Sequence, residues 1–206
     1  MTKLLYLNAS PRGDDAASTQ AAQIFIDALP DDVQCERIDL FDADLPDLTA
    51  AVASAKQKFP MGIELSEEES AQWAKIVELV DAFKDADHYL FGLPMWNFTI
   101  PYRFKHYIDI ITHPGLMFSR DERGIHGLAS GSATVIYSRG GDYSPKDGQP
   151  DPYDFQSPYV KAWLALVGLN PVHEVLVQRT MAGPDALQET LDAARPQLQE
   201  LAASCL

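Results

Sequence analysis

Residues 92–109, GLPMWNFTIPYRFKHYID, decide the fold, because a Pro-Met-Trp-Asn-Phe turn lies there between a buried-strand pattern and an amphipathic-helix pattern. Before the turn, His88, Tyr89, Leu90 and Phe91 read as a short internal strand. After it, Tyr102, Phe104, Tyr107, Ile108 and Ile111 recur at helical spacing behind Pro101, which suits a first helical turn because the N–H it lacks has no partner there. Ligands of open α/β sheets bind outside the carboxyl ends of the strands, where this turn would lie. An apolar, aromatic turn in that place is suited to cover something flat. Taken alone, it reads equally well as a loop whose Met95 and Trp96 only cap the core.

Working outward, residues 3–8 (KLLYLN) read as a first strand, followed by Ala9, Ser10, Pro11, Arg12 and Gly13, an acidic pair, and Ser18-Thr19 opening a helix to about residue 29. A strand, a polar turn and a helix N-terminus make an anion site, since the first helical N–H groups lack partners and the helix dipole favours negative charge. Hydroxyls of Ser10, Ser18 and Thr19 with the charge of Arg12 complete a phosphate cradle; Ser18 read alone serves equally as an N-cap worth roughly 1 kcal/mol. Residues 133–137 (ATVIY) read as another strand, running into Ser138, Arg139, Gly140, Gly141, Asp142 and Tyr143. Adjacent glycines let the backbone approach a ligand and point N–H groups at it.

With these three loops the chain resembles the FMN-dependent NAD(P)H azoreductases of the flavodoxin-like quinone reductases. The matching signatures are LNASPRG with Ser18, PMWNFTIPYRFKHYIDIITHPGLMF and SRGGDY, in family order along essentially the whole chain. The resemblance implies that Ser10, Arg12, Ser18 and Thr19 hold the FMN phosphate. It implies that Pro94, Met95, Trp96, Asn97 and Phe98 pack along the isoalloxazine, and that Ser138, Arg139, Gly140, Gly141 and Tyr143 close on its pyrimidine end. It further implies a flavodoxin-like sheet of order 2-1-3-4-5 and a homodimer with the flavins at the interface. Ala16 stands where the family often has a second phosphate-binding serine, and Arg120 follows Met117-Phe118-Ser119 where some relatives carry an aromatic residue near the substrate pocket.

At 206 residues and 46% hydrophobic, the chain fits one flavodoxin-like domain over 1–206. No apolar run approaches the roughly 20 residues of a membrane span. Met1-Thr2-Lys3 leads straight into a strand without a signal-peptide pattern, and with only Cys35 and Cys205 neither a disulfide framework nor a thiolate site is expected. The expected location is cytoplasmic. A net charge of −14 argues against nucleic acid and anionic membrane partners, which need a positive face.

Residues 33–39 alternate as a second strand, 40–46 are a turn-rich exit, and 50–59 look helical until Pro60-Met61-Gly62 breaks them. Ser66 to Glu69 is a capping-box start to a helix reaching about residue 85, with Trp73, Ile76, Val77, Val80 and Phe83 on one apolar face. Residues 142–158 carry five prolines and glycines and read as a long functional loop. Helices are expected over 160–167 and 184–203, with the fifth strand at 172–177. The result is an α/β fold, a five-stranded parallel sheet with helices on both faces.

The five histidines lack paired zinc spacing, so no metal site is expected and they read as helix-surface and loop residues. Ser130-Gly131-Ser132 lacks the flanking glycines of a nucleophile elbow, the first loop has no cysteine, and Gly13 alone does not make a dinucleotide fingerprint. NADH or NADPH is therefore a transient reductant. FMN carries the redox chemistry, so no catalytic side chain is required: NAD(P)H passes hydride to flavin N5, leaves, and a quinone or azo compound takes the electrons in a ping-pong scheme. The main rival is a flavin-bearing electron carrier or redox sensor that needs a protein partner, which the acidic surface favours.

Overall fold

The computed structural model describes residues 1–204. The chain runs β1 (Thr2–Asn8), α1 (Ala17–Ile26), β2 (Val33–Asp39), α2 (Ala50–Lys58), α3 (Glu67–Lys84), β3 (His88–Pro94) and α4 (Tyr102–Ile111). It continues through β4 (Phe118–Asp121), β5 (Gly124–Gly127), β6 (Ser132–Ser138), α5 (Gln156–Val167), β7 (Val172–Val177) and α6 (Pro184–Ser204). Five strands form one parallel sheet in the order β2-β1-β3-β6-β7. Counting the parallel strands alone, this is the 2-1-3-4-5 order that the resemblance implies.

Successive residues of a strand face opposite sides, and here both sides are covered. Leu5, Leu7, Tyr89, Phe91, Val135 and Tyr137 face a core shared with α3, α4 and α5. Leu4, Tyr6, Leu90, Ile136, Val175 and Val177 face α1 and α6. Two-sided burial is why β1, β3 and β6 are nearly continuous apolar runs, whereas edge strand β2 is mostly exposed. In register, Asn8 pairs with Gly92, Pro94 with Ser138 and Ser138 with Val177, so four loops leave one edge of the sheet side by side.

The capping box of α3 forms as expected: Glu69 N–H donates to Ser66 Oγ and Ser66 N–H to Glu69 Oε2. Three expectations need correction. Helix α1 stops at Ile26 rather than near residue 29, because Ala28 and Leu29 donate three residues back in tighter turns. Helix α5 starts at Gln156, inside the expected loop, because the Asp154 carboxylate accepts from the backbone N–H groups of Gln156 and Ser157, and Pro158 is tolerated in a first turn. The histidines are not all surface residues: His88 and His113 are fully buried. His88 lies between Ser132 and Thr134, and His113 lies against Trp73.

The antiparallel pair β4–β5 carries no signal in the sequence. Its two-residue turn, Glu122-Arg123, lacks the glycine or asparagine that marks a tight hairpin, and Asp121 instead braces it by accepting from Arg123 N–H. Cys35 is a free, exposed thiol on β2, and Cys205 lies outside the described residues. No described helix is long and apolar enough to cross a membrane.

Candidate functional site

The loop after β1 is shaped by Asn8, whose Oδ1 accepts from Ser10 N–H and Thr19 Oγ1 while its Nδ2 donates to Asp39. Ser10 Oγ accepts from the Arg12 N–H, leaving the Arg12 side chain exposed. The N-cap of α1 is Ala16, which has no side chain to offer, so the first-turn N–H groups carry no cap. Ser18 is therefore not the N-cap. It sits inside the first turn, fully buried, and its hydroxyl has no hydrogen-bond partner among the described residues. A buried hydroxyl left unpaired costs about 1–3 kcal/mol, which makes it a mark of a missing acceptor. The Thr19 hydroxyl donates to Asn8 Oδ1 at 3.3 Å.

The loop after β3 is a tight hairpin in which Trp96 and Thr99 exchange backbone hydrogen bonds at 2.9 and 3.1 Å. Both central residues are left-handed, Asn97 with φ 46° and Phe98 with φ 74°. Such backbone is costly for residues with a Cβ, of order 1–3 kcal/mol each, and it recurs at ligand sites. Among the described residues no hydrogen bond takes up the N–H of Asn97, which stands exposed. Pro94 and Met95 are half-buried, and Met95 N–H donates to Ser138 O, tying this loop to the next. Trp96 packs on Phe41, and with Tyr102, Lys105 and Tyr159 it lines a neighbouring groove of about 420 Å³.

In the loop after β6, Arg139 O accepts from Thr180 N–H, Gly140 O from Met181 N–H and Gly141 O from Arg179 N–H. A trans peptide points its C=O and the next N–H in opposite directions. With these three carbonyls turned to the loop beyond β7, the N–H groups of Gly140, Gly141 and Asp142 point the other way, towards the β3 loop. Among the described residues no hydrogen bond takes them up. Neither glycine has a left-handed φ, so the backbone itself does not demand glycine here. A Cβ on Gly141 would meet only Tyr143 at 3.4 Å, an ordinary contact, and one on Gly140 would meet the movable end of Met181.

The structure thus gathers the loops of Ser10 to Thr19, Pro94 to Phe98 and Ser138 to Tyr143 at one sheet edge. Arg139 is the exception in direction: it is only 2% exposed, and its guanidinium is held by Asp154 and Gln156 instead of facing the cleft. Sequence reasoning did not single out Tyr153, Phe155 and Met181. Tyr153 lies 5.0 Å from Phe98 between ring centroids, Phe155 N–H donates to Phe98 O, and Met181 covers Gly140. The signal for the first two was present in the long loop leaving the glycines. An uncapped helix N-terminus with an orphan hydroxyl, an aromatic turn and a row of free N–H groups suit a flat heterocycle with a phosphate tail, and FMN fits this set. Among the described residues no group of three or more His, Cys, Asp or Glu is arranged to hold a metal ion.

Comparison with known proteins agrees with this geometry. The family model described as the flavodoxin-like fold matches residues 2–202. The chain is 42% identical to an FMN-dependent NADH:quinone oxidoreductase of Desulfotalea psychrophila, covering 98% of this chain and 97% of that protein. It is 38% identical to FMN-dependent NADH:quinone oxidoreductase 3 of Pseudomonas fluorescens, covering 98% and 96%. Among solved structures it superposes on an FMN-dependent NADH-azoreductase from Bacillus anthracis in complex with FMN, with TM-score 0.85, 30% identity and 98% of each chain covered.

Proposed function

Because the chain belongs to the flavodoxin-like fold family, we propose that it is an FMN-dependent NAD(P)H oxidoreductase reducing quinones and azo compounds by two-electron transfer. The observation that carries this reading is the fully buried Ser18 hydroxyl, unpartnered among the described residues, at the uncapped start of α1. The names of the relatives, and the FMN in the Bacillus anthracis azoreductase, support it.

In this reading Ser10, Ser18, the first-turn N–H groups of α1 and the exposed charge of Arg12 hold the phosphate. Pro94 to Phe98 would flank the ring, with the Asn97 N–H free to donate to it. Bound FMN would supply the redox chemistry, with NADH or NADPH as the hydride donor and a quinone or azo compound as the electron acceptor. The N–H groups of Gly140, Gly141 and Asp142 stabilise negative charge at the pyrimidine end, as oriented donors do for any developing anion. Phe98, Tyr143 and Tyr153 wall the cleft and limit water. A homodimer belongs to the proposal, as does a reducing compartment such as the cytoplasm, which suits the exposed thiol of Cys35.

The test is direct. The purified protein should show flavin absorbance bands and bind FMN far more tightly than riboflavin; equal affinities would remove the phosphate cradle. The net charge of −14 favours a second reading, a flavin-bearing carrier that serves a protein partner. NADH and NADPH oxidation with small quinones separates the two, since a carrier gives none.

A further inference from the structure

The guanidinium of Arg139 is buried beside the glycine loop, and its two side-chain hydrogen bonds tie that loop to the segment that opens α5. Its Nε donates to Gln156 Oε1 at 3.0 Å and its Nη2 to Asp154 Oδ2 at 2.9 Å. Gln156 Nε2 donates in turn to Leu93 O at the end of β3. Asp154 is fixed from its other sides by Ser157 Oγ and by the N–H groups of Gln156 and Ser157. Burial alone would raise the Asp154 carboxyl, but the Ser157 hydroxyl and N–H together with Arg139 hold it below the usual carboxylate range. The guanidinium also lies over the Tyr137 ring at 5.4 Å and near Tyr143 at 5.9 Å.

The backbone of Arg139 is held as firmly as its side chain. Its N–H donates to Val177 O, and its carbonyl accepts from both Thr180 N–H and Thr180 Oγ1. The next three N–H groups, those of Gly140, Gly141 and Asp142, inherit their direction from these anchors. A buried ion pair adds little net stability compared with apolar residues of similar volume, so stability alone does not account for one here. We propose that Arg139 is a positioning residue whose clamp by Asp154 and Gln156 aims the N–H groups of Gly140, Gly141 and Asp142 into the cleft, and so sets how strongly the site favours reduced over oxidised flavin. This rests on the FMN reading above.

Arg139→Lys tests it, because lysine keeps the charge but not the planar two-nitrogen fork that spans Asp154 and Gln156. Positioning predicts at least a tenfold loss of preference for the reduced flavin in this variant. For a two-electron couple that is a midpoint potential about 30 mV more negative, with weaker FMN binding alongside. If charge alone mattered, Arg139→Lys would match the parent in both quantities, and the proposal would be overturned. Should that variant fail to fold, Thr180→Val carries the test. It removes one donor to the Arg139 carbonyl without touching the buried pair, and it should lower the potential in the same direction; an unchanged potential overturns the proposal. A parent protein that binds no FMN would defeat the functional reading itself, and is thereby distinguished from a parent that binds it with a variant that does not differ.

Discussion

At Ser18, stability and ligand binding pull in opposite directions, since its buried hydroxyl has no partner among the described residues. Ser18→Ala should leave the flavin-free protein as stable as the parent or slightly more stable, because an unsatisfied buried group is removed. The same change should weaken FMN at least about tenfold, the loss expected for one hydrogen bond to a charged group. Melting of the flavin-free variant beside an FMN titration checks both, and unchanged affinity would place the phosphate elsewhere. A pair of buried histidines sets the acid response. Burial lowers His88 to about 4, with His173 adding to it, and burial lowers His113 to about 4, with Lys56 adding to it. The unfolded chain, with histidines near 6.5, then binds more protons than the native state between pH 4 and 6.5. Stability is complete above that window and falls as pH drops through it, by roughly 3 kcal/mol per histidine. Urea midpoints should fall between pH 7 and 4.5, and His113→Phe should flatten part of that slope; an unaltered slope would refute its share. At this scale the sequence placed a hydroxyl at the start of α1 but left two roles for Ser18 open. Only the extended backbone of Ala16 decides that it is not the cap. The direction of Arg139 was illegible, because its partners lie 15 and 17 residues away across a loop.

Elements were legible where burial wrote a long pattern. β1, β3 and β6 are covered on both faces and read as apolar runs, and the capping box of α3 sits in four consecutive residues. The start of α5 was hidden because Pro158 reads as a loop residue, although it stands in the first helical turn, where its missing N–H breaks nothing. The hairpin β4–β5 was hidden because its strands are four residues each and its turn residues are ordinary ones. The glycine loop makes an element-scale prediction. Gly141→Ala meets only an ordinary contact with Tyr143 and needs no unusual φ, so the melting temperature of the flavin-free protein should stay within a few degrees of the parent. On the proposed arrangement FMN affinity should nevertheless fall, because the added methyl would occupy space the ring needs. Unchanged affinity would show that the loop stands clear of the ligand.

For the whole molecule, the proposal has one cleft at one sheet edge serve two substrates in turn. Steady-state rates against NAD(P)H and a quinone should therefore give parallel double-reciprocal lines, and intersecting lines with a stable ternary complex would contradict this alternating use of the cleft. The topology also separates two sensitivities in space. The ligand loops leave the carboxyl ends of the strands, whereas His88 begins β3, and His113 follows α4, which runs back from the site to the opposite edge. Protonation therefore strains the molecule from the end remote from the cofactor, leaving the cradle intact until cooperativity gives way. On acidification, the bound flavin's visible spectrum should stay native-like until helical circular dichroism is lost in the same transition, so the cofactor serves as a built-in gauge of global collapse and not of local loosening.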